Sequence, residues 1–181
     1  MNIALFGGSF DPPHFGHIQI VLAALSTLEI DKLIIVPAYR NPLKHSICAN
    51  GAKRVEWLKT IFKSYPKVEI SDFEVSQNRP VYTIETVLHY ETATDKIFLI
   101  LGADNVEKLS QWHQFDLLKN KVTFVVATRD NHHVPANMIT LKINEPISST
   151  LFRNSFGSLG LDEMVENEII TYYKENHEST N

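Results

Sequence analysis

His14 and His17 stand one helical turn apart in the run Gly7-Gly8-Ser9-Phe10-Asp11-Pro12-Pro13-His14-Phe15-Gly16-His17. Gly7 and Gly8 carry no Cβ, so the backbone there can approach a ligand closely. Pro12 and Pro13 keep the chain extended until a helix can begin. The first turn of that helix offers free N–H groups and a partial positive charge, which suit an anion. Both imidazoles can then reach one phosphate. The chemistry this arrangement fits is the handling of a nucleotide's phosphates. Two plainer readings exist. The histidines could cap the helix, or share a zinc ion, but zinc takes a third protein ligand and no His or Cys cluster accompanies the turn.

A second candidate phosphate contact is Ile147-Ser148-Ser149-Thr150-Leu151-Phe152-Arg153. Hydroxyl side chains favour helix starts because they accept the first free N–H groups. Arg153 lies about one turn inside, and its planar guanidinium can hold phosphate oxygens in pairs. Other cations gather in candidate loops: Arg40, Lys44 and His45; Lys53 and Arg54; Arg129, His132 and His133. For Lys53 and Arg54 a solvated surface is the favoured reading. Cys48 reads as a surface thiol in a loop.

Around these residues, buried-strand and helix patterns alternate. Ile3–Phe6 is a continuous apolar run, as expected of a strand covered on both faces. Ile18, Val21, Leu22, Leu25 and Leu28 recur at helical spacing. Strands are predicted at 32–37, 68–70, 97–101, 122–127 and 138–141. Helices are predicted at about 52–62, 83–90, 149–156 and 162–175, with a polar loop over 72–81 and a polar tail after about His177. Such alternation implies an α/β fold, a doubly wound parallel sheet with ligands beyond the carboxyl ends of its strands. At 181 residues a single domain over 1–181 is expected.

The histidine run resembles the (His/Thr)-x-Gly-His signature of the nucleotidyltransferases, as His14-Phe15-Gly16-His17 preceded by Gly8-Ser9-Phe10-Asp11-Pro12. Those enzymes move a nucleotidyl group from a nucleoside triphosphate to a phosphate-bearing acceptor and release pyrophosphate. Ile147–Arg153 looks like their Ile-Ser-x-Thr-x-x-Arg element, which contacts ATP phosphates. Three more stretches are similar to the nicotinate-nucleotide adenylyltransferase family. Pro37-Ala38-Tyr39-Arg40-Asn41-Pro42-Leu43-Lys44 resembles its Pro-x-x-x-Pro-Pro-x-Lys loop, with Asn41 in place of one proline. Val81-Tyr82-Thr83 with Thr86 resembles its Tyr-Thr element, whose backbone meets the nicotinate carboxylate. Leu101-Gly102-Ala103-Asp104-Asn105 with Trp112 resembles its Gly-x-Asp-(Ser/Asn)…Trp stretch, where the indole stacks on the pyridine ring.

This resemblance implies a Rossmann-like nucleotidyltransferase fold. It also implies adenylyl transfer from MgATP to nicotinate mononucleotide, giving nicotinate adenine dinucleotide and pyrophosphate in NAD biosynthesis. Mg²⁺ is expected on the ATP phosphates, with no protein ligand. His14, His17 and Arg153 are the expected catalytic residues. Gly7, Gly8, Ser9, Phe10, Ser148 and Ser149 would join them around ATP. Lys44, Tyr82, Thr83, Gly102, Asp104, Trp112 and Arg129 would face the acceptor nucleotide. The bland readings of these last residues are helix capping for Thr83 and Asp104 and core packing for Trp112. The rivals are a phosphopantetheine adenylyltransferase, a cytidylyltransferase, and a non-catalytic nucleotide-binding sensor. A class I tRNA synthetase fragment fits poorly, since no Lys-Met-Ser-Lys-like loop is present.

Composition agrees with a soluble globular chain, 44% hydrophobic and 21% charged. A formal charge of −4 argues against a general nucleic-acid surface, which is normally basic. No apolar run approaches the roughly 20 residues of a membrane span. A strand-like N-terminus without a basic region leads us to expect no secretory signal. The single cysteine fits a reducing cytoplasm. A monomer and a homo-oligomer are equally compatible with the sequence.

Overall fold

The computed structural model describes residues 1–39, 49–91, 96–128, 134–143 and 148–178. Six strands form one parallel sheet: β1 (Asn2–Gly8), β2 (Lys32–Pro37), β3 (Val68–Ile70), β4 (Lys96–Gly102), β5 (Thr123–Thr128) and β6 (Ile139–Lys142). Their order is β3-β2-β1-β4-β5-β6, the doubly wound order that the strand–helix alternation predicts. Between them run α1 (Phe15–Thr27), α2 (Gly51–Phe62), α3 (Phe73–Ser76), α4 (Thr83–Tyr90) and α5 (Phe115–Leu118), with a 3₁₀ segment at Ala103–Gln111. After the sheet come α6 (Ser149–Ser155) and α7 (Glu163–Glu178). Among the described residues no helix is long and apolar enough to cross a membrane.

β1 explains why its sequence is apolar without alternation. Successive strand residues point to opposite faces. Ala4 and Phe6 pack with Val21 and Ala24 of α1, with Leu28 just after it, and with Leu58 and Phe62 of α2. Ile3 and Leu5 pack on the other side with Ile84 and Val87 of α4. Burying each large aliphatic side chain is worth roughly 1.5–3 kcal/mol, so both layers hold β1 at the centre. A third cluster joins Trp57 of α2 to Phe152 of α6 and to Val165, Ile169 and Tyr173 of α7. It brings the last two helices back against the first half of the chain.

Strand order reverses between β1 and β4, and ligands of such sheets bind beyond the carboxyl ends at that point. Gly8 lies there beside Pro37, and β4 ends nearby at Gly102. The loop expected over 72–81 contains α3, and the stretch after Gly102 holds the 3₁₀ segment and α5. Elements of four residues are too short to show a 3.6-residue pattern.

α3 carries a buried carboxyl, Glu74, which accepts the Thr86 hydroxyl of α4 at 2.6 Å. Burial pushes its pKa up to about 7, more than the Thr86 hydrogen bond pulls it down. An acid raised in the folded state costs stability as pH climbs past its unfolded value, and the full cost is present above the folded one. Glu74→Gln is therefore expected to gain up to about 3 kcal/mol above pH 7.5 and almost nothing near pH 4. Urea unfolding at the two pH values checks this.

Candidate active site

β1 delivers Gly7 and Gly8 to the reversal point. A Cβ on Gly8 would sit 3.0 Å from the Phe10 ring, whereas one on Gly7 would meet nothing within 4 Å. Packing thus calls for glycine at position 8, and the space beside Gly7 stays open. Phe10 turns the chain with φ 49°, in the left-handed region that non-glycine residues rarely adopt. Its ring is buried edge-on against Phe6, so only its main chain is free to serve a ligand.

His14 is the N-cap of α1, and its backbone N–H donates to Nδ1 of His17 at 3.1 Å. The imidazole centroids are 3.8 Å apart. The capping reading therefore holds for His17. Its Nδ1 serves the cap as an acceptor, so the proton of the neutral ring lies on Nε2, the outer nitrogen. The ring rests on Phe10 at 4.8 Å, which limits its orientation.

α6 meets this turn directly. Ser149 Oγ donates to the Pro12 carbonyl at 2.8 Å, and Arg153 donates to the Asp11 carbonyl. Ser148 caps α6 by accepting the Leu151 N–H at 3.1 Å. Asp11 itself is buried. Its Oδ1 accepts the Ala49 N–H at 3.0 Å and the Tyr173 hydroxyl, and Arg153 stands 3.9 Å from Oδ2.

Arg54 requires a correction. It is not a surface cation but is fully buried at 0% exposure. Its guanidinium donates to the carbonyls of Ser9 at 2.6 Å, Ala38 at 2.8 Å, Ala49 at 3.1 Å and Tyr39 at 3.3 Å. Burial pulls its pKa below the ordinary arginine value, with Asp11 opposing the shift. Its neighbour Lys53 keeps the surface reading, paired with Glu56 and Glu168.

On the other side of the reversal, Tyr82 is the N-cap of α4 and Thr83 its first residue. Thr83 and Ile84 thus present first-turn N–H groups that have no partner within the helix. The Tyr82 N–H donates to Glu85 Oε1 at 2.9 Å, and two Arg79 hydrogen bonds hold Glu85 and pull its pKa down to about 2. Thr86 is buried and turned toward Glu74. The Tyr82 ring, 53% exposed, stacks on His113 at 4.2 Å, linking α4 to the segment that carries Trp112. Trp112 is half-buried, packed on the layer formed by Ile3, Leu5 and Leu99. A Cβ on Gly102 would come within 2.6 Å of Asp104 Oδ1, the end of a side chain that can swing aside. That carboxylate is exposed and accepts from Asn105 Nδ2 at 3.2 Å.

The cytidylyltransferase-like family matches residues 5–155. Proteins named probable nicotinate-nucleotide adenylyltransferase are similar along nearly the whole chain. The one from Sulfurimonas denitrificans is 49% identical over 97% of both chains, and the one from Campylobacter fetus 48% identical over 97% of this chain and 98% of its own. The chain belongs to the nicotinate-nucleotide adenylyltransferase family. It is thus a nucleotidyltransferase. The fold agrees with a solved nicotinic acid mononucleotide adenylyltransferase from Plasmodium falciparum, at a TM-score of 0.72 and 22% identity over 99% of this chain and 98% of that one.

Within this member of the adenylyltransferase family, the structure brings His14, His17, Ser149 and Arg153 around one turn, and Tyr82 and Trp112 onto neighbouring segments. Lys44 and Arg129, with Arg40, His45, Cys48, His132, His133 and Ile147, lie outside the described residues. Asp11, Arg54 and Tyr173 were not singled out as a network from sequence. Arg54 does fall on the apolar stripe of Leu58 and Phe62, and Tyr173 on that of Val165 and Ile169, which is the signal that could have found them.

Replacing Arg54 by methionine removes the donor from four carbonyls at once. We expect it to cost more than about 2 kcal/mol of stability, with lysine recovering only part because a point charge cannot reproduce the fork. Urea midpoints of the two variants test this.

Proposed function

We propose that this chain transfers the adenylyl group of ATP to nicotinate mononucleotide, forming nicotinate adenine dinucleotide and pyrophosphate. The observation that carries this reading is the meeting of His14, His17 and Arg153 around the Asp11–Pro12 turn beyond β1. It occurs in a chain 49% identical to a relative named for that activity.

The acceptor's phosphate oxygen attacks the α-phosphorus in line. The bond to the β-phosphate breaks, and pyrophosphate leaves with its electron pair. A phosphate monoester loses its second proton near pH 6, so the nucleophile is already an anion. Acid–base catalysis, worth about 10²–10⁴, has little to remove. Orientation of two bound reactants supplies roughly 7–11 kcal/mol and is the larger lever, with charge stabilisation added to it.

The roles follow from the donors available. His17 gives Nε2–H to a phosphate oxygen while Nδ1 keeps the cap, and His14 lies beside it. Gly7, Gly8, Ser9 and Phe10 offer main-chain contacts. Arg153 has five N–H donors, enough to keep Asp11 and still hold the leaving phosphates. Ser148 and Ser149 complete the donor side, and Lys44 is assigned to the acceptor nucleotide. On the acceptor side, a carboxylate gains from the first-turn N–H groups of α4 at Thr83, which favours the acid over the amide. Trp112 stacks on the pyridine ring, Gly102 and Asp104 meet the nucleotide near its ribose, and Arg129 its phosphate. Among the described residues no group of three or more His, Cys, Asp or Glu side chains is placed to hold a metal ion. MgATP is taken as the substrate, Mg²⁺ bound mainly by phosphates and water and offsetting their charge.

A pyrophosphate-release assay with ATP and nicotinate mononucleotide, nicotinamide mononucleotide or phosphopantetheine tests the assignment. Faster turnover of phosphopantetheine would overturn it, and a preference for CTP over ATP would move it to cytidylyl transfer. His17→Ala is expected to lower kcat more than about tenfold with the fold intact, since a charge-assisted hydrogen bond is worth about 1.5–3 kcal/mol. An unchanged kcat would remove His17 from the mechanism. Trp112→Ala should raise the acceptor KM more than the ATP KM. Equal effects would leave the indole a packing residue.

A further inference from the structure

Glu74 is a buried carboxyl, 9% exposed, that no step above uses. Its partner Thr86, 4% exposed, sits in the first turn of α4, and its N–H reaches the Tyr82 carbonyl. Thr86 and Thr83 are one turn apart on the same face. α4 has eight residues, too few to hold its shape without outside contacts. Its N-cap is a tyrosine and not a Ser, Thr, Asp or Asn, so no short polar cap side chain fixes its start.

Ile84 and Val87 pack α4 on the sheet, and two carboxylates fix its first turn by hydrogen bonds. Glu85 does so from outside, with Arg79, where water and salt screen the pair. Glu74 does so from inside. The element that carries Glu74 is itself immobilised. Val75 occupies the space into which a Cβ on Gly51 would project, 2.5 Å away, so α3 abuts the start of α2. Ser71, just before α3, donates its N–H to the Ile35 carbonyl at 2.9 Å and pairs its hydroxyl with Tyr90 at 2.5 Å. The charged and titratable groups around this joint are Glu85, His89 and Tyr90 of α4, His89 stacked on Phe73 of α3 at 3.9 Å, with Glu69 and Asp72 beside them.

We propose that Glu74 is a positioning residue for the acceptor site, anchoring the Tyr82–Thr83 turn to α3 through the Thr86 hydroxyl. The proposal rests on the reading of Tyr82–Thr83 as the acceptor contact. Losing the anchor lets the first turn of α4 move relative to the sheet, which weakens the acceptor's grip. The donor side, built on β1, α1 and α6, does not share the joint.

Thr86→Val, which deletes a hydroxyl at nearly constant volume, is compared with Glu74→Leu and with Glu74→Gln, whose amide oxygen still accepts from Thr86. The expected result is an acceptor KM raised about tenfold by the first two, an ATP KM within about twofold of wild type, and a Gln variant close to wild type, as loss and retention of one buried hydrogen bond would give. Hydrogen exchange of the amides of residues 83–86, faster in Thr86→Val, reads the anchor without any substrate. An unchanged acceptor KM, equal rises in both KM values, or a Gln variant as impaired as Leu would overturn the proposal. Should Glu74→Leu fail to fold, Thr86→Val decides. A wild-type enzyme inert toward nicotinate mononucleotide would sink the function reading instead. Exchange at 83–86 would then judge the anchor alone, unchanged rates refuting it.

Discussion

The buried carboxylate of Asp11 takes hydrogen bonds from Ala49, just ahead of α2, and from Tyr173 of α7, while Arg153 of α6 stands 3.9 Å from its second oxygen. A carboxylate removed from water is costly unless its oxygens are matched by donors. These partners come from the residue Ala49 ahead of α2, from α6 and from α7, distant in sequence, so the carboxylate is matched only when all three segments are docked. Docking is driven elsewhere, by the apolar contacts of Trp57, Phe152, Ile169 and Tyr173. The order of cause is apolar packing first, then a satisfied Asp11. The backbone turn that presents His14 and His17 follows from the two.

Arg54 answers the complementary problem. Where β1 and β2 end, their carbonyls leave the sheet and lose their ladder partners, and a buried carbonyl must find a donor. One guanidinium reaches four of them, in the turn at Ser9, in the segment after β2 at Ala38 and Tyr39, and before α2 at Ala49. Asp11 and Arg54 thus fix the same turn from opposite sides, one through donors it gathers and the other through acceptors it serves.

The sheet and the longer helices were legible because burial leaves a period in the sequence: continuous apolar runs for strands covered twice, a 3.6-residue stripe for α1 and α2. The histidine signature was legible because glycine, proline and histidine at those spacings have few other uses together. α3 and α5 were not, because four residues carry no period. Arg54 was misread for a different reason. A charged residue beside Lys53 looks solvated until its partners are known, and those partners are backbone carbonyls, which composition does not reveal. Glu74 was invisible likewise, since only the packing of α3 on α4 tells a buried carboxyl from an exposed one. Thr86 was noticed with Tyr82 and Thr83, yet it faces the protein interior.

The two halves of the proposed site are held by different means. Around His14, His17 and Arg153 the ties are buried and reach from β1 to α7. Around Tyr82 and Trp112 the buried ties are Ile84 and Val87 of α4 on the sheet and the Glu74–Thr86 bond, while the stack on His113 and the Arg79–Glu85 pair are exposed and screened. Local opening costs least where few buried contacts must break. In the proposed reading, adjustment to a bound ligand falls on the exposed Tyr82–His113 stack, while the donor side meets a polyphosphate with its donors already set. That division suits a reaction whose main lever is orientation. One reactant needs a rigid frame, and the other can be fitted against it.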